Sequence, residues 1–219
     1  MTRLIARLFA LGCLLLAGFV KASGNDSKIE LLPFKMEASG LRVQYQGQIV
    51  GGARWRDRSG ENLLVLTQTG AVPSRNKCGT DESCPRDAEV YAYQYIVEAD
   101  KTTLLWRLTD FERNCDFDLY AGFIAKSVSI TDLDSDGVAE STFLYILSCR
   151  SDVSPARLKL IMHEGKNKFA IRGTIKLPAD YGGGDMEVDT AFNKAGNPFM
   201  KHALEQWKIF ASEDNFEQF

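Results

Sequence analysis

Histidine is scarce in this chain: His163 and His202 are the only two in 219 residues. No serine or cysteine stands in a recognisable nucleophile motif, so the usual base and nucleophile of hydrolytic catalysis have little to be built from. His163 is expected on the polar side of a strand and His202 on a helix, both at the surface. The glycine-rich stretch Tyr181-Gly182-Gly183-Gly184-Asp185 has no lysine or hydroxyl at P-loop spacing, and its acidic neighbours would repel phosphate. Beyond residue 20 no apolar run approaches the roughly 20 residues that a membrane-spanning helix needs.

Positive charge is also short, with 26 lysines and arginines against 29 acids. The first residues read as a cleavable signal peptide: Arg3 and Arg7, an apolar run from Leu8 to Val20, and a small-residue exit at Val20-Lys21-Ala22-Ser23. Cys13 follows Ala10-Leu11-Gly12, a poor match to a lipidation pattern. Cleavage after Ala22 removes three basic residues and no acid, which takes the formal charge from −3 to −6 and leaves residues 23–219 as one expected β-rich domain. A mildly acidic exported protein excludes sequence-independent binding to nucleic acid. The periplasm is the preferred destination over the medium.

The mature chain keeps Cys78, Cys84, Cys115 and Cys149. An even count in an exported chain implies disulfides. Of three possible connectivities the preferred one joins Cys78 to Cys84 across a turn-rich segment, and Cys115 to Cys149. The spacing does not supply a zinc finger.

Period-two alternation dominates. Leu41, Val43, Tyr45 and Ile49 alternate with Arg42, Gln44, Gln46 and Gln48 and predict a strand with one wet face, bent at Gly51-Gly52. Leu63 to Leu66 is apolar on both faces and predicts a central strand. Tyr91, Tyr93 and Tyr95 share one face of the next strand, where an open row of rings would form a ligand face for sugars and a packed row would stabilise the sheet. Leu104, Trp106 and Leu108 form another strand. Residues 110–118 look turn-like and acidic, and Asp110, Glu112, Asp116 and Asp118 are candidate paired acids of a glycosidase. Asp185, Glu187 and Asp189 form a further acidic patch. A hairpin joins Leu158, Leu160 and Met162 to Phe169 and Ile171 through Glu164-Gly165-Lys166-Asn167. Asn197-Pro198 opens an amphipathic helix running to about Ser212, with Met200, Ala203, Leu204, Trp207 and Phe210 on one stripe. These patterns predict a mainly β fold of antiparallel sheets, a sandwich or a partial propeller, with one C-terminal helix.

The most specific stretch is Thr131-Asp132-Leu133-Asp134-Ser135-Asp136-Gly137-Val138-Ala139-Glu140. Counted from Asp132, carboxylates fall at positions one (Asp132), three (Asp134), five (Asp136) and nine (Glu140), and Val138 at seven offers a backbone carbonyl. Calcium takes six to eight oxygens in a flexible cage of this kind, and Gly137 permits the sharp turn. Position twelve is Phe143 rather than the glutamate of an EF-hand, and the flanks are strand-like. The stretch resembles the calcium loops in the blade hairpins of FG-GAP and VCBS-type repeat proteins. A fainter echo, Trp55 to Leu66, has the outline of the same hairpin without the second and third aspartates.

From about residue 50 to 175 the chain also resembles a family of small exported bacterial proteins named for surface polysaccharide biosynthesis. The quoted loop, Leu147-Ser148-Cys149-Arg150-Ser151-Asp152-Val153-Ser154-Pro155, and Leu158 to Gly165 carry that resemblance. It implies a bacterial envelope location and supplies no catalytic residues. The expectation is a calcium-stabilised, non-enzymatic envelope protein that binds a glycan or a protein partner. The alternative is a hydrolase or transferase acting on envelope glycans.

Overall fold

The computed structural model describes residues 29–35, 41–74, 84–99 and 101–212. The expected signal peptide and Cys78 lie outside these residues. Two antiparallel six-stranded sheets make up the body. The first holds β1 (Glu30–Leu32), β2 (Gln48–Asp57), β3 (Gly60–Gln68), β4 (Val72–Pro73), β5 (Arg86–Glu98) and β6 (Lys101–Cys115). The second holds β7 (Asp118–Phe123), β8 (Ser129–Thr131), β9 (Glu140–Arg150), β10 (Arg157–Glu164), β11 (Asn167–Thr174) and β12 (Met186–Val188).

Each sheet is organised on one long strand. In the first, β5 pairs with β3 and β4 and, separately, with β6. In the second, β9 pairs with β7 at one end, β8 at the other, and β10. Both are buried on two faces, which is why Leu63–Leu66, packed beside β5, and Phe143–Leu147 read as continuous apolar runs.

The sheets face one another over a core drawn from both: Trp55, Leu64, Val90 and Leu108 meet Phe123, Phe143, Tyr145 and Ile161. Asp110 and Glu112 also point into this interface. Asp110 takes the Lys159 ammonium and the Tyr145 hydroxyl, and Glu112 takes Arg157. The stretch expected to be an acidic turn at 110–118 is therefore mostly strand. Its carboxylates face cations on the other sheet, and an alternation of inward acids with outward Phe111 and Arg113 hides that from a hydropathy reading. Asp116 and Asp118 stay exposed. Cys115, at the end of β6, is disulfide-bonded to Cys149 on β9, so one covalent link joins the two sheets. Cys84 is also disulfide-bonded.

The outer face of the second sheet is covered by α1 (Phe192–Ala195) and α2 (Asn197–Phe210). Phe199, Ala203 and Trp207 of α2 pack with Leu158, Leu160, Phe169 and Ile171. Each large side chain buried this way contributes about 1.5–3 kcal/mol. The residue before the helix is Gly196, at φ 86°, and no side chain caps the first turn, so Asn197 begins the helix instead of capping it.

The outer face of the first sheet is covered differently. Residues 41–46, expected to be the start of a strand, form no ladder, and regular pairing begins at Gln48. They run as an extended strap whose carbonyls meet hydroxyls of the sheet beneath. Thr67 donates to Gln46, Tyr95 to Gln44 and Thr102 to Arg42, while the Tyr93 hydroxyl accepts from the Gln46 amide. Leu41, Val43 and Ile49 pack on Tyr91, Tyr93 and Tyr95, which are 5%, 3% and 4% exposed. The tyrosine row is consequently not an open ligand face. Its rings stack at 6.2 Å along the strand and serve the fold. The expected bend at Gly51-Gly52 is a register shift between Ile49 and Gly51. At Gly52 a Cβ would stand 2.2 Å from the Leu64 carbonyl oxygen and 2.6 Å from the Phe34 ring, so only glycine fits there.

Candidate metal site

β8 and β9 are joined by residues 132–139, and their pairing puts Thr131 opposite Glu140. On its other edge Glu140 faces Glu164, the last residue of β10. The loop between is folded by its own carboxylates. Asp132 Oδ2 accepts from Gly137 N at 3.1 Å, Asp134 Oδ1 from Asp136 N at 3.1 Å, and Asp136 Oδ1 from Val138 N at 2.7 Å. Gly137 at φ 82° and Ser135 at φ 62° make the tight reversals these bonds need.

The carboxylates fall into two overlapping groups. Ligand oxygens of Asp132, Asp134 and Asp136 lie within 4.8 Å of one another, as do those of Asp134, Glu140 and Glu164. A cation with 2.3–2.6 Å bonds can bridge oxygens at that separation. Of the expected ligands, then, the three aspartates come together and Glu140 joins them through Asp134. Val138 enters the loop through its N–H. Glu164 was missed by the sequence reading. A signal existed: counting both strands back from the turn around Asp152 sets residue 164 against residue 140.

Two oxygens mark the cluster as more than a solvated acidic turn. Glu140 is fully buried, and its Oε2 accepts from Leu133 N at 2.9 Å and Thr131 Oγ1 at 3.1 Å, whereas its Oε1 has no partner. Asp132 Oδ1 is likewise buried and unpaired. Buried acceptors without donors are costly, and more so when charged. Burial pushes the Glu140 carboxyl up to about 7, the hydrogen bonds from Leu133, Thr131 and its own backbone N–H opposing this and the charge of Asp134 adding to it. Burial also raises Glu164, whose bond from Asn167 acts against the repulsion of Asp134, Asp136 and Asp132. The residues present fit a hard divalent cation, since unsatisfied anionic oxygens are what such an ion takes up.

The echo segment has a different role from the one its outline suggested. The turn between β2 and β3 packs directly against the acidic loop. Arg58 N donates to Gly137 O at 2.8 Å and its guanidinium meets Asp136 at 3.2 Å. Asp57 Oδ2 accepts from Ala139 N at 3.1 Å and Trp55 Nε1 at 2.9 Å, while Oδ1 takes the Ser59 amide and hydroxyl. The two hairpins that look alike in sequence thus touch, one from each sheet.

The other candidates are accounted for elsewhere. His163 is buried, not at the surface: its ring stacks on Trp106 at 3.9 Å, and burial, with Lys168 adding, pushes it down to about 3. His202 is half-buried beside Ser129 Oγ at 3.2 Å. Asp189 is paired with Arg172 and Asp185 accepts from Thr174, so the 185–189 patch is divided between separate partners. Among the described residues no helix is long and apolar enough to cross a membrane. Comparison with protein-family models, curated proteins and solved structures finds no match to this chain.

Proposed function

We propose that this chain is an exported β-sandwich of the bacterial envelope, stabilised by calcium at Asp132, Asp134, Asp136, Val138 and Glu140, and that it works by binding rather than by catalysis. The observation that carries the reading is the pair of buried, unpartnered oxygens on Asp132 and Glu140 inside a loop that clasps the opposite sheet. Calcium there would satisfy both oxygens and relieve the repulsion among neighbouring carboxylates. Export is supported by the basic-apolar-small pattern of residues 1–22 and by the disulfide between the sheets. The periplasm is the preferred site, and a part in surface polysaccharide biogenesis follows from the resemblance described above.

Two of the acids that an envelope glycan hydrolase or transferase would use are engaged otherwise. Asp110 and Glu112 neutralise Lys159 and Arg157 between the sheets. For binding, the groove of about 520 Å³ between the strap and β6 is the best-equipped surface. Arg42, Gln44, Gln46 and Arg107 offer amide and guanidinium groups suited to sugar hydroxyls, and Tyr45, 44% exposed, offers a ring to stack on. A glycan is the ligand this lining favours, and an envelope protein is the other.

Calorimetry and melting of the mature protein test the metal half: calcium heat and a melting temperature lowered by chelator are expected, and neither appearing would overturn it. Retention on purified envelope polysaccharide tests the glycan half. Tyr45→Ala and Arg107→Ala should each reduce retention without moving the melting temperature; retention equal to wild type would exclude this groove.

A further inference from the structure

We infer that the acidic loop holds two cations rather than one, the second lying between Asp134, Glu140 and Glu164 with Asp134 shared by both. The inference rests on the calcium reading above and extends it to a residue outside the loop.

Three observations support it. A single nine-residue loop would place all four of its carboxylates round one ion, but here Glu140 is not grouped with Asp132 and Asp136. It is grouped with Asp134 and with Glu164 on the next hairpin. Glu140 is fully buried with Oε1 unpartnered, so it stands in this second group with an acceptor to spare. Asp132 has a buried unpartnered oxygen of its own in the first group, which makes one unmet acceptor for each position.

Charge gives a fourth argument. Five carboxylates belong to the two groups, and Arg58 returns one positive charge through Asp136. Four negative charges remain when all are ionised. One divalent ion leaves half of them uncompensated in a partly buried site, and two balance them. The ligands also divide by origin. The first position belongs to the loop alone, whereas the second spans β9 and β10 and would tie the loop to the hairpin that ends at Glu164.

The test is calcium stoichiometry of the mature protein, read by calorimetry and by native mass spectrometry, for wild type, Glu164→Gln and Asp136→Asn. Wild type should bind two equivalents, and each variant one. Glu164→Gln keeps a side-chain oxygen for Asn167 and removes a charge, so its melting temperature in chelator should not fall below that of wild type. One equivalent in wild type, unchanged in Glu164→Gln, would overturn the second position and leave the calcium reading standing. No binding by wild type would overturn both. Two equivalents persisting in Glu164→Gln would remove Glu164 from the site and so defeat the inference.

Discussion

The two touching hairpin tips, Asp57–Glu61 on the first sheet and Asp132–Glu140 on the second, begin from similar sequence and end in opposite states. At Asp57 every carboxylate oxygen is used: Ser59 supplies two donors, and Trp55 and Ala139 one each. At the second tip the backbone donors satisfy only part of the acid, and Asp132 Oδ1 and Glu140 Oε1 remain buried and unpaired. The difference teaches that counting carboxylates is not enough to identify a cation loop. What matters is whether acceptors are left over once the loop's own N–H groups have been spent.

The largest break in this comparison should come from Asp134→Ala, which removes the acid common to both groups. With calcium a hundredfold above its Kd, loss of the linked stabilisation would cost about 3 kcal/mol. In chelator the same substitution should cost much less, because the loss of the exposed bond from Asp136 N is set against the repulsion it removes. Equal destabilisation in the two conditions would show that the second tip is self-satisfied like the first.

Asp57→Ala should cost about 2 kcal/mol, since Ala139 N and Trp55 Nε1 lose their acceptor at a half-buried position. That loss is expected with and without calcium, and chemical denaturation in both conditions reads it. A cost that appeared only in calcium would make Asp57 part of the cation site.

The smallest effect is expected at an acid that belongs to neither tip. At Asp110 burial works against the charge, but the bonds from Lys159 and Tyr145 outweigh it and hold the carboxyl below its ordinary 3.8. Its folded value is therefore below its unfolded one. Its contribution to stability is complete above about pH 4 and is lost as pH falls through the folded value. The melting temperature of wild type minus that of Asp110→Asn should be constant between pH 5 and 7 and shrink only below about pH 4. A difference that changed near neutral pH would be assigned to another group.

Legibility from sequence tracked how local each feature is. The α2 stripe of Met200, Ala203, Leu204, Trp207 and Phe210 and the hairpin through Gly165-Lys166 were readable because their patterns need only neighbouring residues. The acidic loop was readable for the same reason. Tyr91, Tyr93 and Tyr95 showed their shared face but not their cover, because the covering strap comes from about fifty residues earlier. That strap itself alternates like a strand, and nothing in its pattern says that its carbonyls meet hydroxyls instead of amides. His163 was misplaced because a polar residue on an alternating strand reads as solvent-facing, and Asp110 because a cluster of acids reads as a turn, whereas both face the other sheet. Glu164 was missed because its partnership depends on register across two strands.

β9 is fastened to the first sheet at both ends, by the loop before Glu140 at one and by Cys149 at the other, about 30 Å apart along an extended strand. The two fastenings differ in kind, one a covalent bond and the other a set of hydrogen bonds and an ion pair made by Asp57 and Arg58. Reduction would sever the first without touching the second. The same strand is therefore held at its two ends by bonds that different conditions break.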